Sequence, residues 1–183
     1  MSRTGIDFSA LEGIGAKIIA GRWYRTVKYK HRGQVDSPEG SARVEGRYHT
    51  TEEDRVLYLS DSPSLSMNES ARIFMTVPIE ESAWYTAAFA VELSRVLDLT
   101  DSVAQHALGI EPPDLVQTGL GAYSLPQEIA RQARSRGFEA MRTPSARSGQ
   151  PGSNLVVFLE VVEESGGTVA PFEPGEMASR TSS

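Results

Sequence analysis

Hydrophobic and polar positions along the chain recur with two different periods, and the changes between them mark the elements. Near the start, Leu11, Ile14 and Ile18 fall at i, i+3 and i+7, one face of a helix, although Gly13 and Gly15 weaken it. Residues 1–21 therefore read as a short packing helix. In GRWYRTVKY (21–29) the period changes to two: Trp23, Arg25, Val27 and Tyr29 share one face, among the aromatic and β-branched residues that suit a strand. Gly33 to Ala42, rich in Gly, Ser and Pro, reads as a loop, and RVLYLS (55–60) as a second strand. Ser62 and Pro63 then resemble the N-cap and first residue of a helix, because a serine hydroxyl satisfies an orphan N–H and proline needs no donor there. On that helix Leu65, Glu69 and Ile73 share one face.

Further along, YTAAFAVELSRVLDLTD (85–101) holds at least one strand, and Pro112–Pro113 breaks the segment after it. Pro126 to Arg136 reads as a helix with Ile129, Ala130 and Ala133 on one face and Gly137 as its C-cap. FEAMRTPSAR (138–147) is a short strand entering a loop, and NLVVFLEVV (154–162) an apolar strand. From residue 165 onward, Gly, Pro, Ser and Glu predominate and predict a flexible tail. The elements alternate irregularly and no repeat is visible. The expected fold is α+β, a compact mixed sandwich, with a single catalytic domain over 22–164.

Composition narrows the class. With 183 residues, 39% of them hydrophobic, the chain suffices for one well-buried core. No run approaches the ~18 apolar residues of a membrane span, and the N-terminus lacks a basic-then-apolar signal layout. A cytoplasmic protein without membrane contact is expected. There is no cysteine, so disulfides and thiolate chemistry are excluded. The three histidines, at 31, 49 and 106, form no metal-binding pair, and no metal site is expected.

The net charge of −6 argues against direct nucleic-acid binding. Its distribution is uneven: between Arg22 and Arg47 seven Lys/Arg face three acids (Asp36, Glu39, Glu45), a local +4 that leaves −10 elsewhere. Such a segment is either a solvated face or a pocket for a small anion such as a nucleotide. Neither GIGAKI (13–18) nor GLG (119–121) completes a dinucleotide fingerprint. Ser145 lacks a nucleophile elbow and on its own is an ordinary loop serine. His49 and His106 read as surface or core-satisfied histidines. The residues left over are polar ones at apolar-looking positions: Arg25 and Tyr58 in strands, Glu69 in a helix. A buried charge needs a partner, a shifted pKa or a cleft. Arg25 and Glu69 could simply form a structural ion pair. Alternatively they line a cleft in which arginine holds phosphates and the carboxylate faces an electron-poor carbon.

Taken together, WYRTV (23–27), ARVEGRYH (42–49), VLYLSDSPSLSMNESARI (56–73), RVLDLTD (95–101) and GFEAMRTPSARSGQPGSNLVVF (137–158) resemble, in order and spacing, the RES-domain family. That family is named for Arg, Glu and Ser and is typical of the toxin half of bacterial toxin–antitoxin pairs. The resemblance runs from Arg22 to Glu160 and departs from the usual Gly-Gly-Arg-Trp-Asn at Glu45-Gly46-Arg47-Tyr48-His49. It implies a fold similar to the ADP-ribosyltransferase toxins and consumption of NAD+, as a substrate rather than a cofactor, with water or inorganic phosphate as co-substrate. A protein ADP-ribosyltransferase, or a non-catalytic nucleotide-binding module, are the alternatives. The implied catalytic residues are Arg47, Tyr58, Glu69 and Ser145. Arg25, Arg43 and Arg47 would hold the pyrophosphate, Tyr58 would face the cationic nicotinamide ring, and Asn154 would bind ribose or carboxamide. Glu69 would stabilise the oxocarbenium-like ribosyl centre. The implied partner is an antitoxin carrying a helix-turn-helix domain, so any contact with DNA would be indirect.

Overall fold

The structure is a computed structural model in which residues 5–39, 45–50, 55–72, 83–119, 121–145 and 152–172 are described. Its longest ladder is antiparallel and joins β1 (Lys17–Lys28) to β3 (Trp84–Asp98), with Trp23 opposite Phe89 and Arg25 opposite Ala87. β5 (Ser153–Phe158) lies antiparallel between β2 (Val56–Ser60) and β4 (Ala140–Pro144). β4 continues as a parallel neighbour of the end of β3, and β6 (Thr168–Pro171) pairs with the middle of β3. β1 also meets β2, through the single pair Tyr24–Ser60, so the order β1-β2-β5-β4-β3 returns to β1.

The mixture of helices and strands matches the expectation; the sandwich does not. The described strands form one barrel-like sheet that closes on itself. Closure follows from the length of β3, which can pair with β1 along one edge and with both β6 and β4 along the other. The β1–β2 seam is its thinnest junction.

Side-chain alternation divides the apolar residues into two cores. Trp23, Leu57, Leu59, Phe89, Val91, Leu93, Ala140, Leu155 and Val157 come from all five strands of the ring and fill its interior. Val56, Met141, Val156 and Phe158 face outward, where α2 (Ser102–Leu108), α3 (Pro112–Val116) and α4 (Ser124–Ser135) cover them with Leu108, Leu115, Ile129 and Ala133. Each large aliphatic side chain buried here contributes about 1.5–3 kcal/mol. None of the described helices is long and apolar enough to cross a membrane.

Several local expectations need correction. Instead of a packing helix over 1–21, a 3-10 turn spans Phe8–Glu12, Gly13 caps it, and β1 already begins at Lys17. Leu11 is buried as expected, but Ile18 is 79% exposed, so the helical spacing was not that of a buried face. Pro112 and Pro113 open α3 rather than only breaking the chain, since the first turn needs no donors there and Asp114 accepts the Glu111 N–H at 2.9 Å. The apolar run from Asn154 leaves the sheet at Phe158 and continues as α5 (Leu159–Ser165), which sends Val161 to one core and Val162 to the other. Nor is everything after 165 a tail. Gly166, at φ 81°, ends α5 in the left-handed region, and Thr168–Pro171 then pairs with Phe89–Glu92. Residues 173–183 lie outside the described residues.

One buried carboxylate joins these elements. Ile19 pairs with Leu93 but Lys17 with Val96, so Ser94 and Arg95 together oppose one residue, a bulge that frees N–H groups from the ladder. Glu139, 1% exposed, takes both: Oε2 accepts the Ser94 and Arg95 N–H groups at 2.7 Å each, and Oε1 accepts the Ser165 hydroxyl at 2.5 Å. Burial alone would raise its pKa, but the hydrogen bonds from Ser165, Arg95 and Ser94 outweigh it and hold the carboxyl below the ordinary 4.5. Its contribution to stability is therefore complete above about pH 4.5 and is lost as pH falls through the lower folded value. Glu139→Ala, which orphans buried N–H groups, should cost roughly 3 kcal/mol in urea unfolding at pH 7. The wild type should also lose more stability than the variant between pH 5 and about pH 3.

Candidate active site

The helix that carries Glu69, α1 (Pro63–Arg72), starts as the sequence indicates: the Ser62 hydroxyl accepts the Leu65 N–H at 3.2 Å. Leu65 is buried. Hydroxyls fasten the helix to β1, with Ser66 Oγ 2.9 Å from Thr26 Oγ1 and the Ser70 hydroxyl donating to the Thr26 carbonyl at 2.8 Å. These serines are one turn apart on a single face. Ile73, the third member of the expected stripe, lies outside the described residues.

Glu69 meets the sheet at the start of β5. Its Oε1 accepts the Ser145 hydroxyl at 2.9 Å and the Asn154 side-chain amide at 3.2 Å. Asn154 Oδ1 in turn accepts the Ser60 hydroxyl at 2.8 Å. Ser60, Asn154 and Thr143 stand opposite one another across β2, β5 and β4, a polar row at the edge of the outer core. Among the described residues Glu69 Oε2 has no hydrogen bond.

Beside this row lies Tyr48, 4% exposed. Burial pushes its phenol up to about 12, a hydrogen bond with Thr143 and the Arg47 charge act the other way, and the Glu69 carboxylate adds to the rise. Tyr48 thus feels both charged candidates. Arg47 Nη1 donates to the carbonyls of Leu115 (3.2 Å) and Gln117 (2.8 Å), and its guanidinium lies 4.9 Å from the centre of the Tyr123 ring. Among the described residues Arg47 Nη2, which is buried, has no hydrogen-bond partner.

Tyr58 is held by its hydroxyl, which accepts the Tyr48 N–H at 3.3 Å and lies 2.8 Å from His49 Nδ1. Burial keeps that phenol protonated well above its usual range. Gly46 is needed for this approach, since a Cβ there would lie 2.2 Å from His49 Cε1. Gln127 braces the same turn by donating to the Gly46 and His49 carbonyls at 3.0 and 3.2 Å. His49 is the core-satisfied histidine the sequence suggests.

Of the expected site residues, the structure brings Glu69, Ser145 and Asn154 into direct contact and sets Arg47 and Tyr58 around the neighbouring Tyr48. Arg43 lies outside the described residues. Arg25 is elsewhere. Alternation puts it on the inner face with Trp23, whereas Thr26, which binds α1, faces the other way. No ion pair with Glu69 forms among the described residues. Burial instead lowers the Arg25 guanidinium to about 10, Asp36 partly restores it, and Nη1 has no hydrogen-bond partner among the described residues.

Sequence reasoning missed Ser60, Thr143, Tyr48 and Gln127. Only the strand register could have placed the first two beside Asn154, whereas Tyr48 sits directly after Arg47 in a motif already singled out.

Comparison with known proteins adds three findings. A solved structure, that of the MbcT–MbcA toxin–antitoxin complex of Mycobacterium tuberculosis, contains a chain of the same fold at TM-score 0.70, with 23% identity, 91% of this chain and 88% of that chain covered. A protein of the same organism named probable NAD(+) phosphorylase is 35% identical over 147 residues, which cover 75% of this chain and 68% of that protein. The RES domain pattern matches residues 10–170, a span that includes every strand of the ring and all the residues around Glu69, and the chain belongs to the RES domain family.

Proposed function

We propose that this protein is an NAD+-degrading toxin of a toxin–antitoxin pair that cleaves the nicotinamide–ribose bond, with inorganic phosphate as the acceptor. The observation that carries the reading is the half-tethered carboxylate: Glu69 Oε1 is fixed by Ser145 and Asn154 while Oε2 is left for a ligand. A carboxylate held this way is preorganised for positive charge that develops only in the transition state. The relative named as an NAD(+) phosphorylase supports the choice of phosphate over water.

In this reading a phosphate oxygen forms a bond to ribose C1 as the C1–N bond to nicotinamide breaks. The bonding pair leaves with the ring nitrogen, which loses its positive charge, and the products are nicotinamide and a 1-phosphorylated ADP-ribose. Oε2 of Glu69 faces the oxocarbenium-like carbon or its ribose hydroxyls. Ser145 and Asn154 act by holding Glu69. Arg47 offers its unpartnered Nη2 to the pyrophosphate while the Leu115 and Gln117 carbonyls hold Nη1. Tyr58, its hydroxyl already engaged, contributes its ring face to the nicotinamide cation. Arg25 has no part in this set, since it projects from the opposite face of β1.

The solved relative's assembly with an antitoxin supports an antitoxin partner here, and such a pair works in the cytoplasm, where the NAD+ pool lies. The test is nicotinamide release from NAD+ with and without phosphate. Release that requires phosphate and gives the phosphorylated ADP-ribose supports phosphorolysis; equal release in both buffers, with free ADP-ribose, assigns water as the acceptor; no release in either overturns the reading. Glu69→Gln should leave thermal unfolding within a few degrees of wild type and lower kcat by about a hundredfold or more. Arg47→Lys, which removes the fork but keeps the charge, should raise KM for NAD+ on the order of tenfold with a smaller effect on kcat.

A further inference from the structure

We infer that Ser60 is a positioning residue for Glu69, acting through the side-chain amide of Asn154. The inference deepens the proposed function and rests on Glu69 as the charge-stabilising group. An asparagine amide has an acceptor end and a donor end of nearly the same shape, so its neighbours decide which end points where. Here Glu69 selects the orientation and Ser60 holds it. Glu69 Oε1 can only accept, and meets Nδ2 at 3.2 Å; the Ser60 hydroxyl then donates to Oδ1 at 2.8 Å. Ser60 is 5% exposed, so bulk water does not replace its hydroxyl.

Without that hydroxyl, Asn154 Oδ1 loses the donor that holds it, and the amide is free to turn. Glu69 Oε1 then loses one of its two tethers and the carboxylate swings about the other, which re-aims Oε2. The strand register makes Ser60 suited to the task. Its backbone pairs with Tyr24 on one side and with Asn154 on the other, so the hydroxyl starts from a fixed place. The misdirected charge is needed in the transition state more than in substrate binding, so the effect falls on kcat.

The experiment compares Ser60→Ala, Ser60→Thr, Asn154→Ala and the double variant Ser60→Ala/Asn154→Ala in steady-state NAD+ cleavage. It also follows the Asn154 side-chain NH2 resonances in the substrate-free protein, identified by their loss in Asn154→Asp. Ser60→Ala should lower kcat about tenfold with KM within twofold, Ser60→Thr should recover most of the rate, and the double variant should be no slower than Asn154→Ala. The Asn154 resonances should move in Ser60→Ala and return toward wild type in Ser60→Thr. A wild-type kcat in Ser60→Ala, or a loss that adds in full to that of Asn154→Ala, overturns the inference. If wild type releases no nicotinamide, the functional reading fails on its own. The amide resonances then decide the positioning alone: unmoved in Ser60→Ala, they overturn it, and shifted, they support it.

Discussion

Side-chain alternation along β5 governs the rest of the molecule. Leu155 and Val157 point into the ring while Asn154, Val156 and Phe158 point outward, and both neighbouring strands follow the same phase. A slip of one residue would exchange the two sets. It would turn Asn154 toward the apolar interior and away from Ser60 and Glu69. The energy that fixes the polar row is therefore the burial energy of leucines and valines one position away, and the site is rigid because the cores are packed.

The two carboxylates at the sheet show how the same group is put to different ends. Glu139 spends both oxygens on donors, two of them backbone N–H groups that a bulge would otherwise strand. It is a structural anion, with nothing left over. Glu69 spends one oxygen on side chains from two separate segments and, among the described residues, keeps the other uncommitted. Arg47 divides its guanidinium in the same way, one nitrogen to carbonyls and one without a partner among the described residues. Such incomplete satisfaction, beside otherwise well-matched polar groups, is what separates a place for a ligand from a place that only holds the fold.

The sequence carried the local parts of this arrangement clearly. The Ser62–Pro63 helix start is a matter of neighbouring residues, and Glu69 stood out as a charge beside Leu65. Arg25 stood out for the same reason, and its grouping with Trp23 was right, but the pattern could not say that this face turns inward, away from Glu69. Glu139 carried an equal signal, a carboxylate between Phe138 and Ala140, and passed unnoticed inside a motif read as a plain strand. Ser60 could not be found locally: its contact with Asn154 spans 94 positions and exists only through strand register. The helix expected near Ile18 failed because period alone does not report solvent, and Gly13 ended the turn.

The thin closure of the ring bears on the site as well. Glu69 rides on a helix fastened to β1 through Thr26, whereas its donors belong to β5 and the end of β4. The carboxylate thus bridges the seam at Tyr24 and Ser60, on a helix that also follows β2 through Asp61, whose carboxylate accepts the Ser153 N–H at 2.6 Å. Where the sheet joins itself by the least backbone pairing, side-chain hydrogen bonds between Thr26 and α1 and between Glu69 and β5 also cross the junction.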